Sequence, residues 1–265
     1  MNRKIIAAVI AAIVIASLLT AAQPSSAAGC VTIPAAAHRG GTERYTENSR
    51  NAFRDATNVG VKIWETDVQF TSDNIPIVMH DDTVDRTTDG TGTIADLTEA
   101  QIAGMRTDDD EPVPTLAELV NDAAVDSVTV LVELKTNPTP EQWVTLVAAL
   151  GSRPGMTAKL IITSFDTAAL AGAATYAPAY ARGLVQDIGD VDPAAVTPYA
   201  HILIKHHNAI TAARMTKWVA GGLQVYSWTV DTVSEMDRMS WYPAIAGVIT
   251  NLPQGYLAWQ KSRVC

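Results

Sequence analysis

Glu65 and Asp67 stand two residues apart in an apolar, β-branched run, a spacing that turns both side chains to one side of a strand. Glu133 closes another such run, and Lys135 follows two residues on with the same facing. Three inward carboxylates cannot stay buried and ionised without a compensating cation. An all-oxygen set suits a hard ion, Ca2+ or Mg2+, and no cysteine or histidine set has the spacing of a zinc site. For Glu65 and Asp67 alone, a carboxylate pair at a solvated rim is the competing reading. His38 and His80 fall at the ends of two further runs. Two histidines beside an anionic metal cluster suit proton transfer, one taking a proton from a nucleophile and the other giving one to a leaving oxygen. Arg39, next to His38, carries the planar fork that pairs with a phosphoryl oxygen.

These residues need elements that bring them together. The apolar runs are Ala35–Gly40, Val61–Phe70, Val128–Lys135, Lys159–Phe165, Ala181–Val185, Ile202–Lys205, Leu223–Val230 and Ala246–Thr250. Helix starts sit between them. Thr115 with Glu118, Thr139 with Gln142 and Thr232 with Glu235 form capping boxes, Pro140 suits a first helical position, and Asp166 suits an N-cap. Strands alternating with helices mean βα units and a parallel sheet. Eight such units predict closure as a (β/α)8 TIM barrel, whose functional residues gather at the C-terminal mouth of the strands.

One stretch breaks the rhythm. Ser72-Asp73-Asn74 is a turn, too short for a parallel crossover, and Ile75–His80 is a second apolar run. The reading is an antiparallel hairpin that brings His80 back to the mouth. An insertion of about residues 72–113 follows, with Thr98 and Gln101 opening a short helix.

The N-terminus has the order of an export signal: Arg3 and Lys4, an uncharged apolar run Ile5–Leu19, then Ser26-Ala27-Ala28-Gly29. The expectation is a signal peptide over 1–28 and a barrel over 29–265, giving a secreted, extracellular protein. The apolar run is short for a spanning helix, so no stable membrane insertion is expected after cleavage. The formal charge of −9 becomes more negative without Arg3 and Lys4, which argues against nucleic acid as a partner. Two cysteines, Cys30 and Cys265, bracket the exported chain and are expected to form a disulfide, with a weak lipobox around Cys30 as the rival.

Other residues are read more plainly. Lys205 ends the sixth run where it could reach the mouth, while His206 and His207 suit a solvated loop at least as well. Trp218, Trp241 and Trp259 fall in helical patterns and are read as packing between barrel and helices. Asp108-Asp109-Asp110-Glu111 is read as a flexible acidic loop rather than a second cation site.

An ordered series of motifs resembles the glycerophosphodiester phosphodiesterase family. It runs through His38-Arg39-Gly40, Glu47-Asn48, Glu65-Thr66-Asp67, His80-Asp81-Asp82-Thr83 and Arg86-Thr87-Thr88-Asp89-Gly90-Thr91-Gly92. Pro114-Thr115-Leu116-Ala117-Glu118, Glu133-Leu134-Lys135, Ser164-Phe165, Trp228-Thr229-Val230 and Ile249-Thr250-Asn251 continue it over nearly all of the chain after the signal. The resemblance implies His38 and His80 as the acid/base pair, and Glu65, Asp67 and Glu133 as ligands of a divalent cation. It implies Arg39 and Lys135 as phosphate-holding residues and Trp228 as a wall near the glycerol. The implied activity is metal-dependent hydrolysis of a glycerophosphodiester to sn-glycerol 3-phosphate and an alcohol, on a small or polymeric, teichoic-acid-like substrate. Two alternatives stay open: a phosphatidylinositol- or sphingomyelin-type phospholipase acting on intact lipid, which would need an apolar rim where the mouth segments are mostly polar, and a non-catalytic binding barrel. Asp231 and Asn251 depart from the resembled pattern, which usually has Asn and Asp there. Neither is expected to touch the proposed catalytic, metal-holding or substrate-holding residues, so both bear on alcohol specificity more than on activity.

Overall fold

A computed structural model describes residues 32–263. The segment 1–28 and both cysteines, Cys30 and Cys265, lie outside the described residues. The strands are β1 (Ala35–His38), β2 (Ile63–Phe70), β3 (Pro76–Val78), β4 (Thr129–Leu134), β5 (Leu160–Ser164), β6 (Ala181–Gln186), β7 (Ile202–His206), β8 (Gln224–Trp228) and β9 (Ile245–Thr250). Between and after them come α1 (Arg50–Val59), α2 (Glu99–Ile102), α3 (Leu116–Asp126), α4 (Pro140–Leu150), α5 (Thr167–Tyr176), α6 (Pro193–Val196), α7 (Ala212–Ala220), α8 (Val233–Met239) and α9 (Pro253–Ser262). All strands but β3 pair in parallel, and β1 joins both β2 and β9, so eight strands close a barrel.

The helix starts follow from local chemistry. Thr115, Thr139 and Thr232 each cap a helix through reciprocal capping boxes with Glu118, Gln142 and Glu235, and Pro140 opens α4. Asp166 caps α5 by accepting from the Ala168 N–H. Each cap hands the chain from a strand to a helix that folds back over the barrel.

Alternation along the strands separates two apolar layers. Trp64 and Val68 of β2 face outward and pack with Phe53 of α1, the Trp64 and Phe53 rings lying 5.0 Å apart. Ala36, Leu131, Ile161, Val185, Ile202, Ile204 and Ile249 fill the interior, with Ile63 and Tyr226 packed against them. Bulky branched side chains plug the barrel below, so the polar residues concentrate at its mouth.

The β2–β3 hairpin follows the expected geometry, with Phe70 opposite Pro76 and Val68 opposite Val78. The Met79 N–H then donates to the Asp67 carbonyl at 3.0 Å, which sets His80 beside the mouth. The chain that follows has a small core of its own, Ile77, Met79, Val84, Ile94, Ile102 and Val113. Thr98 and Gln101 form the capping box of α2 within it.

Candidate active site

The β1–α1 turn places His38 and Arg39. Arg39 (φ 55°), Gly40 (φ 85°) and Gly41 (φ 93°) all have left-handed backbone, and a Cβ on Gly40 would stand 2.8 Å from Ala52 Cβ. Only glycine fits such close approach to α1. The turn aims the Arg39 backbone N–H at Glu65 Oε2, 3.1 Å away. Its guanidinium lies 3.2 Å from Asp67 Oδ2 and 3.0 Å from Glu47 Oε1.

Glu65, Asp67 and Glu133 are buried, and one ligand atom from each lies within 4.8 Å of the other two. The pairing of β2 with β4 causes this convergence, because Asp67 is the register partner of Glu133. Lys135 Nζ donates to Glu133 Oε1 at 2.7 Å and lies 3.3 Å from Asp67 Oδ1. Asn48 Nδ2 donates to Asp67 Oδ2 at 2.9 Å.

The electrostatics divide the triad. Burial would raise Asp67, but Lys135, Arg39 and the Asn48 amide outweigh it and hold the carboxyl below its ordinary value. Burial, followed by repulsion from Asp67 and Glu133, pushes Glu65 well above the usual carboxylate range. Glu133 is raised as well, by burial and then by Asp67. Among the described residues no lysine or arginine pairs with Glu65 through its side chain; its contacts are the Arg39 N–H and His38 Nε2 at 3.8 Å. Set against Arg39 and Lys135, three ionised carboxylates would leave one negative charge over, which a proton on Glu65 or a bound cation would balance. This donor set fits a hard divalent cation. A solvated rim pair is ruled out for Glu65 and Asp67, which are 3% and 1% exposed.

Both histidines are engaged at Nδ1, and His38 turns Nε2 toward Glu65, 3.8 Å away. His80 Nδ1 lies 2.7 Å from Asp81 Oδ1, and Arg86 holds Asp81 through two nitrogens, which keeps that carboxyl far below its ordinary value. Arg86 also donates to Glu47, joining the histidine of the hairpin to the Arg39 side of the mouth. His38 Nδ1 lies 2.6 Å from Asn251 Oδ1, and Asn251 Nδ2 donates to Asp231 Oδ2 at 2.7 Å. Burial, then Arg39, lowers the His38 pKa.

The departures at 231 and 251 therefore sit directly behind His38, and Asn251 touches it, contrary to the expectation that neither meets a proposed site residue. The order of the motifs could not show this, because the end of β9 meets β1 only when the barrel closes.

A small cavity opens at the centre, lined by His38, Glu65, Glu133, Thr163, Val185, Ile204, Trp228 and Ile249. Trp228 walls it, donating from Nε1 to the Gln186 carbonyl at 3.3 Å. Phe165 and His206 meet the Trp228 ring edge-on, each 5.4 Å away. Opposite the charged half of the mouth there is thus an aromatic half.

Several plainer readings change here. Lys205 does not reach the mouth: strand alternation turns it outward, where it is fully buried and donates to Gln186 Oε1 and the Ile188 carbonyl. Burial and nearby Arg214 lower it to about 8. His206 faces the mouth instead, and His207 is buried against Arg238 and Glu235 rather than solvated. Trp218 packs as expected and Trp259 partly so, but Trp241 is 71% exposed in the turn after α8. The acidic run at 108–111 is tied down, with Asp109 accepting from Ser49 Oγ and Glu111 from the Asn51 N–H at the start of α1. Glu47, Asn48, Asp81 and Arg86 were visible only inside motifs, and their roles depend on loops meeting across the mouth.

Comparison with known proteins agrees with this arrangement. Residues 38–254 match the glycerophosphoryl diester phosphodiesterase family. Human glycerophosphodiester phosphodiesterase 1 is 31% identical over 81% of this chain and 76% of its own. The glycerophosphodiester phosphodiesterase of Caldanaerobacter subterraneus is also 31% identical, over 82% of this chain and 93% of its own. An Oleispira antarctica phosphodiesterase, solved with the product sn-glycerol-3-phosphate, shares the fold at a TM-score of 0.78 and 24% identity, covering 86% of this chain and 96% of its own. With its site at the barrel mouth and its matched region spanning most of its length, this chain belongs to the glycerophosphoryl diester phosphodiesterase family.

Proposed function

We propose that the protein is a secreted, metal-dependent phosphodiesterase that hydrolyses glycerophosphodiesters to sn-glycerol 3-phosphate and an alcohol. One observation carries the reading: a buried carboxylate triad, two histidines with Nδ1 held from behind, and Arg39 with Lys135 converge on one small mouth. A binding barrel would have no need of this convergence.

Glu65, Asp67 and Glu133 would hold Ca2+ or Mg2+. When bound, such an ion neutralises phosphate charge and stabilises the transition state. Arg39 is pre-oriented by Asp67 and Glu47 to pair with a phosphoryl oxygen, and Lys135 supplies a second positive charge beside it. In the overall reaction the bond from phosphorus to the alcohol oxygen breaks and the elements of water are added. His38 and His80 handle the two proton transfers, one from the attacking hydroxyl and one to the departing alcohol oxygen. Trp228, with Phe165 and His206, forms the less polar wall against which the carbon skeleton packs.

Hydrolysis of lipid substrates is the second reading, and the rim offers it one observation. Phe165 is 46% and Ile188 73% exposed in the loops after β5 and β6. Among the described residues no helix is long and apolar enough to cross a membrane. A panel of glycerophosphodiesters, lysolipids and glycerophosphate polymers, assayed with and without chelator, separates the readings. Metal-dependent release of sn-glycerol 3-phosphate from the small diesters is the expected result. Turnover confined to lipids would overturn it, while turnover confined to glycerophosphate polymers would keep the chemistry and assign the polymeric substrate.

A further inference from the structure

The hydrogen bonds behind His38 determine where its proton sits. Asp231 Oδ1 accepts from the Asn251 backbone N–H at 2.8 Å and from Thr250 Oγ1 at 3.0 Å, while Oδ2 accepts from Asn251 Nδ2 at 2.7 Å. The Asp231 backbone N–H in turn donates to Glu235 Oε2 at 2.9 Å, which fixes the residue at the start of α8. An ionised carboxylate only accepts hydrogen bonds, so the amide of Asn251 must turn its NH2 toward Asp231. That leaves Asn251 Oδ1 facing His38 Nδ1 at 2.6 Å. An amide oxygen also only accepts, so Nδ1 must carry the hydrogen.

We propose that Asp231 and Asn251 are positioning residues that lock His38 in the Nδ1–H tautomer, leaving the Nε2 lone pair turned into the site as the proton acceptor. The proposal deepens the phosphodiesterase reading, on which the assignment of His38 to proton transfer rests. The lock itself is a property of the protein without substrate.

The network dictates what each substitution does. In Asp231→Asn the position of Oδ1 must stay an oxygen, because the backbone N–H of residue 251 points at it and cannot turn away. The new NH2 then takes the place of Oδ2. Asn251 has to present its oxygen to that NH2, which turns its own NH2 toward His38 Nδ1. His38 can accept there only with its proton on Nε2, and the acceptor facing the site is gone. Exchanging the two residues, Asp231→Asn with Asn251→Asp, repairs the chain. The amide at 231 donates to the carboxylate at 251, and that carboxylate accepts from Nδ1–H.

The test is long-range proton–nitrogen NMR on histidine-labelled protein at a pH where the ring is neutral, together with steady-state kinetics. There are five histidines in the chain to resolve, and His38→Gln assigns the signal. The wild type should show Nδ1–H at His38. Asp231→Asn should show Nε2–H and lose at least ~10² in kcat, the usual scale of general base catalysis, with little change in KM. The double exchange should regain Nδ1–H and most of the turnover. Nε2–H in the wild type, Nδ1–H retained in Asp231→Asn, or a folded double variant as slow as Asp231→Asn would each overturn the lock. Tautomers that switch as described in a protein without diesterase turnover would support the lock and defeat the functional reading instead.

Discussion

At the scale of single residues, the site is an arrangement of charges that balances by taking up either a proton or a cation. Glu65 shows the strain most clearly. Its pKa is raised above 4.5, by burial first and then by Asp67 and Glu133. In the folded, metal-free protein it therefore keeps a proton that the unfolded chain has already lost. Stability of the metal-free protein should fall as pH rises from the ordinary carboxylate value through the raised one, and metal affinity should rise over the same window. Glu65→Gln should reduce that slope, leaving the share of Glu133, and should melt higher than wild type at neutral pH without metal and abolish turnover. A lower melting temperature for the metal-free variant would contradict this account. The histidines make a second prediction. His38→Ala or His80→Ala should each cost at least ~10² in turnover, on the usual scale of acid/base catalysis. Calorimetry should show metal binding surviving in both, since neither is assigned as a ligand. Near-normal turnover in either variant would remove that histidine from the mechanism.

Elements position these residues, and the elements were the most legible part of the sequence. Capping boxes at Thr115, Thr139 and Thr232 and the hairpin at residues 72–74 are local signals, decided by residues three or four apart. Alternation made Glu65 and Asp67 face one way, and β2 does turn both toward Glu133 at the mouth. Lys205 was misread because its outward facing is set by the parity of β7, which the short run Ile202–Lys205 leaves open. Asp231, Asn251, Asp81 and Arg86 act through contacts between loops far apart in the chain, and no local pattern records those. The β1–α1 turn is a sensitive element because it places His38 and Arg39. Gly40→Ala would place a methyl 2.8 Å from Ala52 Cβ and the Phe53 nitrogen at a positive φ. It should destabilise the fold by more than ~1 kcal/mol. It should also lower turnover by displacing His38 and Arg39. Denaturant melts and kinetics check both effects, and a silent Gly40→Ala would show that the turn does not set the site.

For the molecule as a whole, barrel closure brings the ends of the described chain together. The Ile33 carbonyl accepts from Tyr256 Oη at 3.2 Å and from Gln260 Nε2 at 2.9 Å, so α9 packs against the entry to β1. These contacts lie at the end of the barrel opposite the mouth, and they favour the proposed pairing of Cys30 with Cys265, two residues outside the described ones, a bond expected if the protein is exported. Mapping the mature protein without reductant should recover one linked peptide pair, and reduction should leave activity nearly unchanged. Free thiols or lipid on Cys30 would defeat the pairing. An acidic protein that processes an anionic substrate needs a local source of positive charge, and in the proposed reading a divalent cation held by the carboxylate triad, beside Arg39 and Lys135, is that source. Hydrolysis of a glycerophosphodiester before chelation, after exhaustive chelation, and after return of Ca2+ or Mg2+ tests this most directly. The account predicts loss of sn-glycerol 3-phosphate release on chelation and its recovery with the ion; full activity after exhaustive chelation would contradict it.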